Sequence, residues 1–287
     1  VSAQTQDIDM RVIIRETKED GSKWTADYIV DRINKFSPTE EKPFVLGVSC
    51  GSSPLLIYKH LVEYYKKGLV SFANVVTFNT DELVGIPADH PHSYHSYMFH
   101  NLFKHVNINP KNVNMLDGNA ENLEVECDRY EEKIKSVGGI ELFVAGVGED
   151  GHVAMNEPGS SLESTSSVKL LSRQTILLKA AAFGGADKVP NTGLSMGWGT
   201  IMAAREMLII AWGQNKAAAL AKCIERSVSH MYTMSALQKH SRACVVCDQD
   251  ATAELRVRTV KYFQGLEQVT RMLEQNPNRA VPPAAKL

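Results

Sequence analysis

The chain has 287 residues, of which 44% are hydrophobic and 22% charged, a balance that supports a sizeable core and argues against disorder. Lys plus Arg total 31 and Asp plus Glu 33, leaving a formal charge of −2, so no general attraction to nucleic acid or acidic lipid is expected. Five scattered cysteines point away from a disulfide framework and toward a reducing, cytoplasmic setting, and no apolar run approaches the roughly 20 residues that span a bilayer.

The polar stretch 1–9 reads as an N-terminal extension without the apolar core of a signal peptide. Arg11–Arg15 reads as a first strand. A helix follows over Ser22–Lys35, with Trp24, Tyr28, Ile29 and Ile33 on one face. Phe44–Ser49 is a continuous apolar strand. It leads through Cys50-Gly51-Ser52-Ser53 into a helix opened by Pro54, with Ser53 as the expected N-cap. Ala73–Asn79 is another strand, stopping at Thr80-Asp81-Glu82. Glu121–Val137 is helical, and the strand Ile140–Val147 runs into Gly148-Glu149-Asp150-Gly151-His152. The stretch 160–190, rich in Ser, Ala and Gly, reads as a lid. Glu206–Trp212 and Arg242–Cys247 are further strands, followed by helices over Lys216–Ser227 and Thr252–Leu273. A proline-rich tail occupies 276–287.

Strands apolar on both faces and separated by helices indicate an α/β fold: a doubly wound, mostly parallel sheet in a single domain over 10–275, with a lid segment. In such sheets ligands sit beyond the carboxyl ends of the strands. The chemistry is therefore expected in 49–53, 79–82, 146–157 and 213–216.

Each of these loops carries suitable groups. Gly51, Ser52 and Ser53 read equally as an anion cradle at a helix N-terminus or as a small-residue turn. The Gly-Lys-Ser/Thr ending of a Walker loop is absent. Asp81 and Glu82 place two carboxylates at a strand end, where partial burial can raise a pKa enough for proton abstraction beside a carbonyl; a capping role is the plainer alternative. Asp150, His152 and Glu157 supply a base, a proton shuttle and a tuning carboxylate within eight residues, and this segment leads the functional candidates. Lys216 stands at a helix start, where a cation opposes the dipole unless an anion joins it. Cys244 and Cys247 lie in an apolar strand and point to opposite faces. The histidines at 90, 92, 95, 100 and 105 lack zinc-type companions, so no metal site is assigned.

Val75–Glu82 and Gly146–Pro158 resemble the two signature segments of the glucosamine-6-phosphate deaminase (glucosamine-6-phosphate isomerase) family. Further similarity runs through His230–Ser235 and Glu254–Phe263, so that it spans roughly Met10 to Leu273. The resemblance implies a Rossmann-like fold assembled as a homohexamer without metal or organic cofactor. It also implies a hydrolase activity of amino sugar catabolism, converting glucosamine 6-phosphate to fructose 6-phosphate and ammonia. By matching position, Asp81 is the base that moves a proton from C2 to C1 through an enediol-type intermediate. His152 assists ring opening, with Asp150 and Glu157 setting its charge and orientation. Gly51, Ser52, Ser53 and Lys216 hold the phosphate. Ser160, Lys169 and Tyr262 are the expected remnant of an allosteric site.

Several positions depart from the family pattern. Ser52 stands where a second glycine is usual. Lys179-Ala180-Ala181-Ala182 occupies the stretch where a phosphate-clamping arginine is expected, a loss worth about 1.5–3 kcal/mol of charge-assisted bonding. Leu83, Glu149, Met155 and Trp198 replace the family's usual residues and are expected to cluster around the pocket. These departures motivate two alternatives: a sugar-phosphate-binding homologue without turnover, and a 6-phosphogluconolactonase-like hydrolase.

Overall fold

The strands form where short runs of β-branched and aliphatic residues alternate their side chains between two helix-covered faces. The computed structural model describes residues 10–275; the extension 1–9 and the tail 276–287 lie outside the described residues. The first half runs β1 (Met10–Arg15), α1 (Lys18–Phe36), β2 (Phe44–Val48), α2 (Leu55–Lys66), β3 (Val75–Asn79), β4 (Asp81–Leu83), α3 (Tyr94–Asn101), β5 (Val113–Asn114), α4 (Leu123–Ser136) and β6 (Leu142–Gly146). The second half runs β7 (Ser167–Leu170), α5 (Arg173–Phe183), β8 (Thr192–Ser195), α6 (Trp198–Met202), β9 (Met207–Ala211), α7 (Ala217–Glu225), β10 (Ala243–Asp248) and α8 (Val257–Gln275).

Seven strands make one sheet in the order β1-β10-β9-β6-β2-β3-β5, with every pairing parallel. On β9, Leu208 and Ile210 pack with Ala26, Ile29 and Ile33 of α1 and with Ile57 and Leu61 of α2. The alternate residues Met207, Ile209 and Ala211 pack on the other face with Tyr130 and Ile134 of α4, Ile201 of α6 and Leu220 of α7. Cys244 and Cys247 of β10 divide between the same two faces, as their spacing predicts. Each fully buried aliphatic side chain contributes about 1.5–3 kcal/mol, so two-sided burial is what holds these short strands.

The strand order also sets where a ligand binds. From β2 the chain proceeds outward through β3 to β5, then returns to β6 beside β2 and winds the opposite way through β9 to β10, which pairs with the first strand, β1, at the far edge. The direction reverses between β2 and β6. A crevice opens there beyond the strand ends, flanked by the loops after β2 and β6.

The structure adds a second sheet that the sequence pattern did not reveal. β4, β8 and β7 pair antiparallel, with Asp81 opposite Ser195 and Ser195 opposite Ser167. Asp81 therefore lies on a strand rather than in a loop. Thr80 links the two sheets: its N–H donates to Val48 O at 2.9 Å and its carbonyl accepts from Met196 N at 2.8 Å. The expected lid, 160–190, holds β7 and α5, and α5 is inserted into the β7–β8 hairpin. α5 has no fully buried residue, which explains its weak apolar signature.

Helix starts differ in instructive ways. α1 begins at Lys18, earlier than the apolar pattern, because Thr17 Oγ1 accepts from Asp20 N at 3.1 Å and caps it. Ser53 does not cap α2; Pro54 occupies the N-cap position without a side-chain bond, which leaves the Ser53 hydroxyl at the cleft. No helix of the described residues is long and apolar enough to cross a membrane.

Candidate active site

The loop after β2 is shaped by its carbonyls. Gly51 has φ +118°, a backbone region that favours glycine. The Gly51 carbonyl accepts from Tyr97 Oη at 2.5 Å, Ser52 O from Lys18 Nζ at 3.5 Å and Ser53 O from Trp212 Nε1 at 3.0 Å. In a trans peptide the following N–H points away from the carbonyl, so the Ser52 and Ser53 N–H groups turn the other way and remain available to an anion. Lys216, ending the short 3₁₀ turn Gln214–Lys216 before α7, brings an ammonium to the same cleft. Burial holds its ammonium below the ordinary range, opposed by the charges of Glu149 and Asp150.

Asp81 and Glu82 are adjacent on β4 and have separate partners. Asp81 is 7% exposed and its Oδ1 accepts from Thr80 Oγ1 at 2.9 Å. Burial pushes its carboxyl up to about 6, against the opposing effects of the Thr80 hydroxyl, Lys179 and His152. Glu82 instead accepts the N–H groups of Leu83, Tyr94 and His95 at 2.8, 2.9 and 2.8 Å, closing the start of α3. One carboxylate serves the cleft and the other the scaffold.

After β6 the chain folds back tightly, with Gly148 N donating to His152 O at 2.8 Å. A Cβ on Gly148 would sit 2.4 Å from the His152 ring and 2.7 Å from Asp150 Oδ1, so this position has room only for glycine. Asp150 Oδ1 takes both the His152 backbone N–H, at 3.1 Å, and Nδ1, at 2.5 Å. Burial works against the Asp150 charge, but the bond to His152 outweighs it and holds the carboxyl below its ordinary value. With Nδ1–H committed to a carboxylate, Nε2 is the nitrogen free to exchange a proton.

Glu157 differs from expectation. Its Oε1 accepts from Ser172 N at 3.2 Å and from Thr175 Oγ1 at 2.7 Å, so it anchors the first turn of α5 while Asp150 holds the imidazole. Asp81, Asp150, His152, Glu157, Gly51, Ser52, Ser53 and Lys216 all line one cleft of about 340 Å³. Tyr94 and Lys179 line it as well, and Lys179 Nζ donates to Tyr94 Oη at 2.8 Å. Sequence reasoning did not assign a role to Tyr94; the signal was Ser93, whose side chain caps α3.

Ser160, Lys169 and Tyr262 lie outside the cleft lining. Lys169 is on β7, with its ammonium lowered by burial against the opposing effect of Cys127, and Tyr262 is exposed on α8. The expected clustering of departures holds for Glu149 and Met155, which line the cleft. It fails for two others. Trp198 is buried in the core of the main sheet, and Leu83 packs with Met155 and Leu171 beneath α5. Ala181 and Ala182 face solvent, and none of Ala180–Ala182 lines the cleft.

Anion-binding backbone beside proton-transfer side chains at a topological switch point is the layout of an α/β enzyme that acts on a small anionic metabolite. Comparison with known proteins narrows that class. The chain belongs to the family described as glucosamine-6-phosphate isomerases/6-phosphogluconolactonase, whose model matches residues 16–246. It is 56% identical over 258 residues to human glucosamine-6-phosphate deaminase 1, covering 90% of this chain and 89% of the relative. It is 54% identical over 259 residues to glucosamine-6-phosphate deaminase of Borreliella afzelii, covering 90% and 97%. A solved structure described as a monomeric glucosamine-6-phosphate deaminase superposes with TM-score 0.82 at 35% identity, covering 85% of this chain and all of the other. A 6-phosphogluconolactonase from Trypanosoma cruzi shares the fold, with TM-score 0.67 at 20% identity over 85% of this chain and 96% of the other.

Proposed function

We propose that the protein converts glucosamine 6-phosphate and water to fructose 6-phosphate and ammonia. The observation that carries this is the meeting of a buried carboxylate, an Asp–His pair and an anion loop in one cleft. The relatives at 54–56% identity, all bearing the deaminase name, support it. The phosphate is held by the Ser52 and Ser53 N–H groups and by Lys216, which tethers the hexose across the cleft. His152, oriented by Asp150, moves a proton between the anomeric hydroxyl and the ring oxygen through Nε2, opening the pyranose. Asp81 then takes the proton from C2 of the open aldehyde, leaving an enediol-type intermediate, and returns it to C1. The C2 amine becomes an imine; water adds to it, and C–N cleavage releases ammonia and leaves the ketone.

A carboxyl held near 6 suits this work, since it is mostly ionised at neutral pH yet basic enough to accept a carbon-bound proton. Glu157 acts by seating α5 over the reacting sugar. Ser160, Lys169 and Tyr262 are proposed as a regulatory remnant apart from the cleft. A homohexamer in the cytoplasm is proposed from the family resemblance, and the molar mass by light scattering tests the assembly. Incubation with glucosamine 6-phosphate while following ammonia tests the activity: release that saturates with substrate supports the reading, and none at millimolar substrate overturns it.

A further inference from the structure

Of the side chains that the 160–190 segment contributes to the cleft, Lys179 alone is charged. The helix that carries it has no fully buried residue, so it is held by discrete attachments. Glu157 anchors its first turn; Phe183 stacks on His90 and lies tilted against His92 at its last, with centroids 5.7 and 5.0 Å apart; and Lys179 sits on Tyr94 between them. Lys179 Nζ is 5.0 Å from the Tyr94 ring centroid as well as bonded to its hydroxyl. Tyr94 in turn gives its N–H to Glu82, the residue after Asp81, so the seat for this lysine is built onto the strand of the base.

A neutral side chain would serve as an attachment to a tyrosine hydroxyl at lower cost. Taking an ammonium out of water is expensive unless a counter-charge faces it. Asp81 and Cys50 share the cleft lining with Lys179, and these two with Glu82 are the acidic groups whose charge acts on it. Glu82 is already committed to three backbone N–H groups. Burial keeps the Cys50 thiol neutral by pushing it well above its ordinary value. Asp81 remains.

We propose that Lys179 is a positioning residue for Asp81: the lid helix delivers its ammonium as the counter-charge that keeps this buried carboxylate ionised and ready to accept a proton. The other groups around Asp81 are Thr80 and Glu82 on its own segment, His152 from the loop after β6, Cys50 from the anion loop, Tyr94 from α3, Tyr58 from α2 and Tyr130 from α4. Closure of the lid thus both excludes water and supplies the charge that offsets its loss. The proposal rests on Asp81 as the base of the reaction above.

The pH profile of kcat/KM for Lys179→Met, Lys179→Arg and the native chain tests it. A counter-charge role raises the acid limb of Lys179→Met by about one pH unit, a tenfold loss of activity below the limb, and leaves that of Lys179→Arg within a few tenths of native. A role confined to seating the helix predicts the opposite sign, because an open cleft rehydrates Asp81 and lowers the limb. A limb that stays in place or falls overturns the proposal. Carboxyl-carbon NMR of Asp81, assigned by loss of its signal in Asp81→Asn, reads the same shift without turnover, so failure of the proposed reaction and failure of this inference are told apart.

Discussion

Replacing Asp81 by asparagine is expected to stabilise the fold while abolishing catalysis. Burial raises the Asp81 carboxyl from the ordinary 3.8 to about 6. At 1.36 kcal/mol per pH unit, holding it ionised costs about 3 kcal/mol at neutral pH. The folded state binds the proton more tightly than the unfolded chain, so stability is highest below pH 4 on this account. It declines between 4 and 6, and the full cost persists above. Asparagine has no charge to bury, and its Oδ1 still accepts from the Thr80 hydroxyl. The variant should therefore melt about 5 °C higher than native at pH 7.5, with the advantage shrinking as pH falls through 6, about a third of it left near pH 4.5 and nearly none below about pH 3.5. Calorimetric scans of both proteins across that range measure it. An advantage that does not change with pH, or native protein melting higher at pH 7.5, would refute the burial argument.

Three further outcomes follow from the same geometry. Gly148→Ala should lower kcat by at least tenfold with little effect on phosphate affinity, since the added methyl displaces the His152 ring and not the anion loop; steady-state kinetics beside phosphate inhibition separate the two. Glu157→Ala removes the oxygen that accepts both bonds from the start of α5 and should raise amide exchange across 167–183, with a higher KM, whereas Glu157→Gln keeps a neutral acceptor and should lie between. Lys216→Met should weaken inorganic phosphate and substrate binding by roughly ten- to a hundredfold at unchanged C2 proton chemistry in saturated enzyme, as read by calorimetry and kcat.

The main sheet was legible because its strands are buried on both faces and its helices carry a plain apolar stripe, as Ile29 and Ile33 show. The site followed from the rule placing ligands at strand ends, and all eight residues assigned to catalysis or phosphate binding meet there. What stayed hidden has physical reasons. β4, β7 and β8 are only three or four residues long, too short for an alternation to register, so Asp81 looked like a loop residue. α5 rests on the surface through polar and aromatic attachments and the packing of Ile176 on Leu83, Met155 and Leu171, too few apolar contacts to leave a periodic signal in its sequence. The bond from Glu157 to Thr175 joins residues whose spacing says nothing of their contact. Substitutions away from a family pattern also carry no depth information: Trp198 and Leu83 adjust packing, and only the fold separates them from Met155 and Glu149.

The most direct test of a carboxylate moving hydrogen between neighbouring carbons is turnover of glucosamine 6-phosphate in deuterated water, with the label located by NMR in product and recovered substrate. Native protein should place deuterium at C1 of fructose 6-phosphate, and Asp81→Asn should bind the sugar phosphate without transferring any. Ammonia release by Asp81→Asn at the native rate would contradict the assignment of the base.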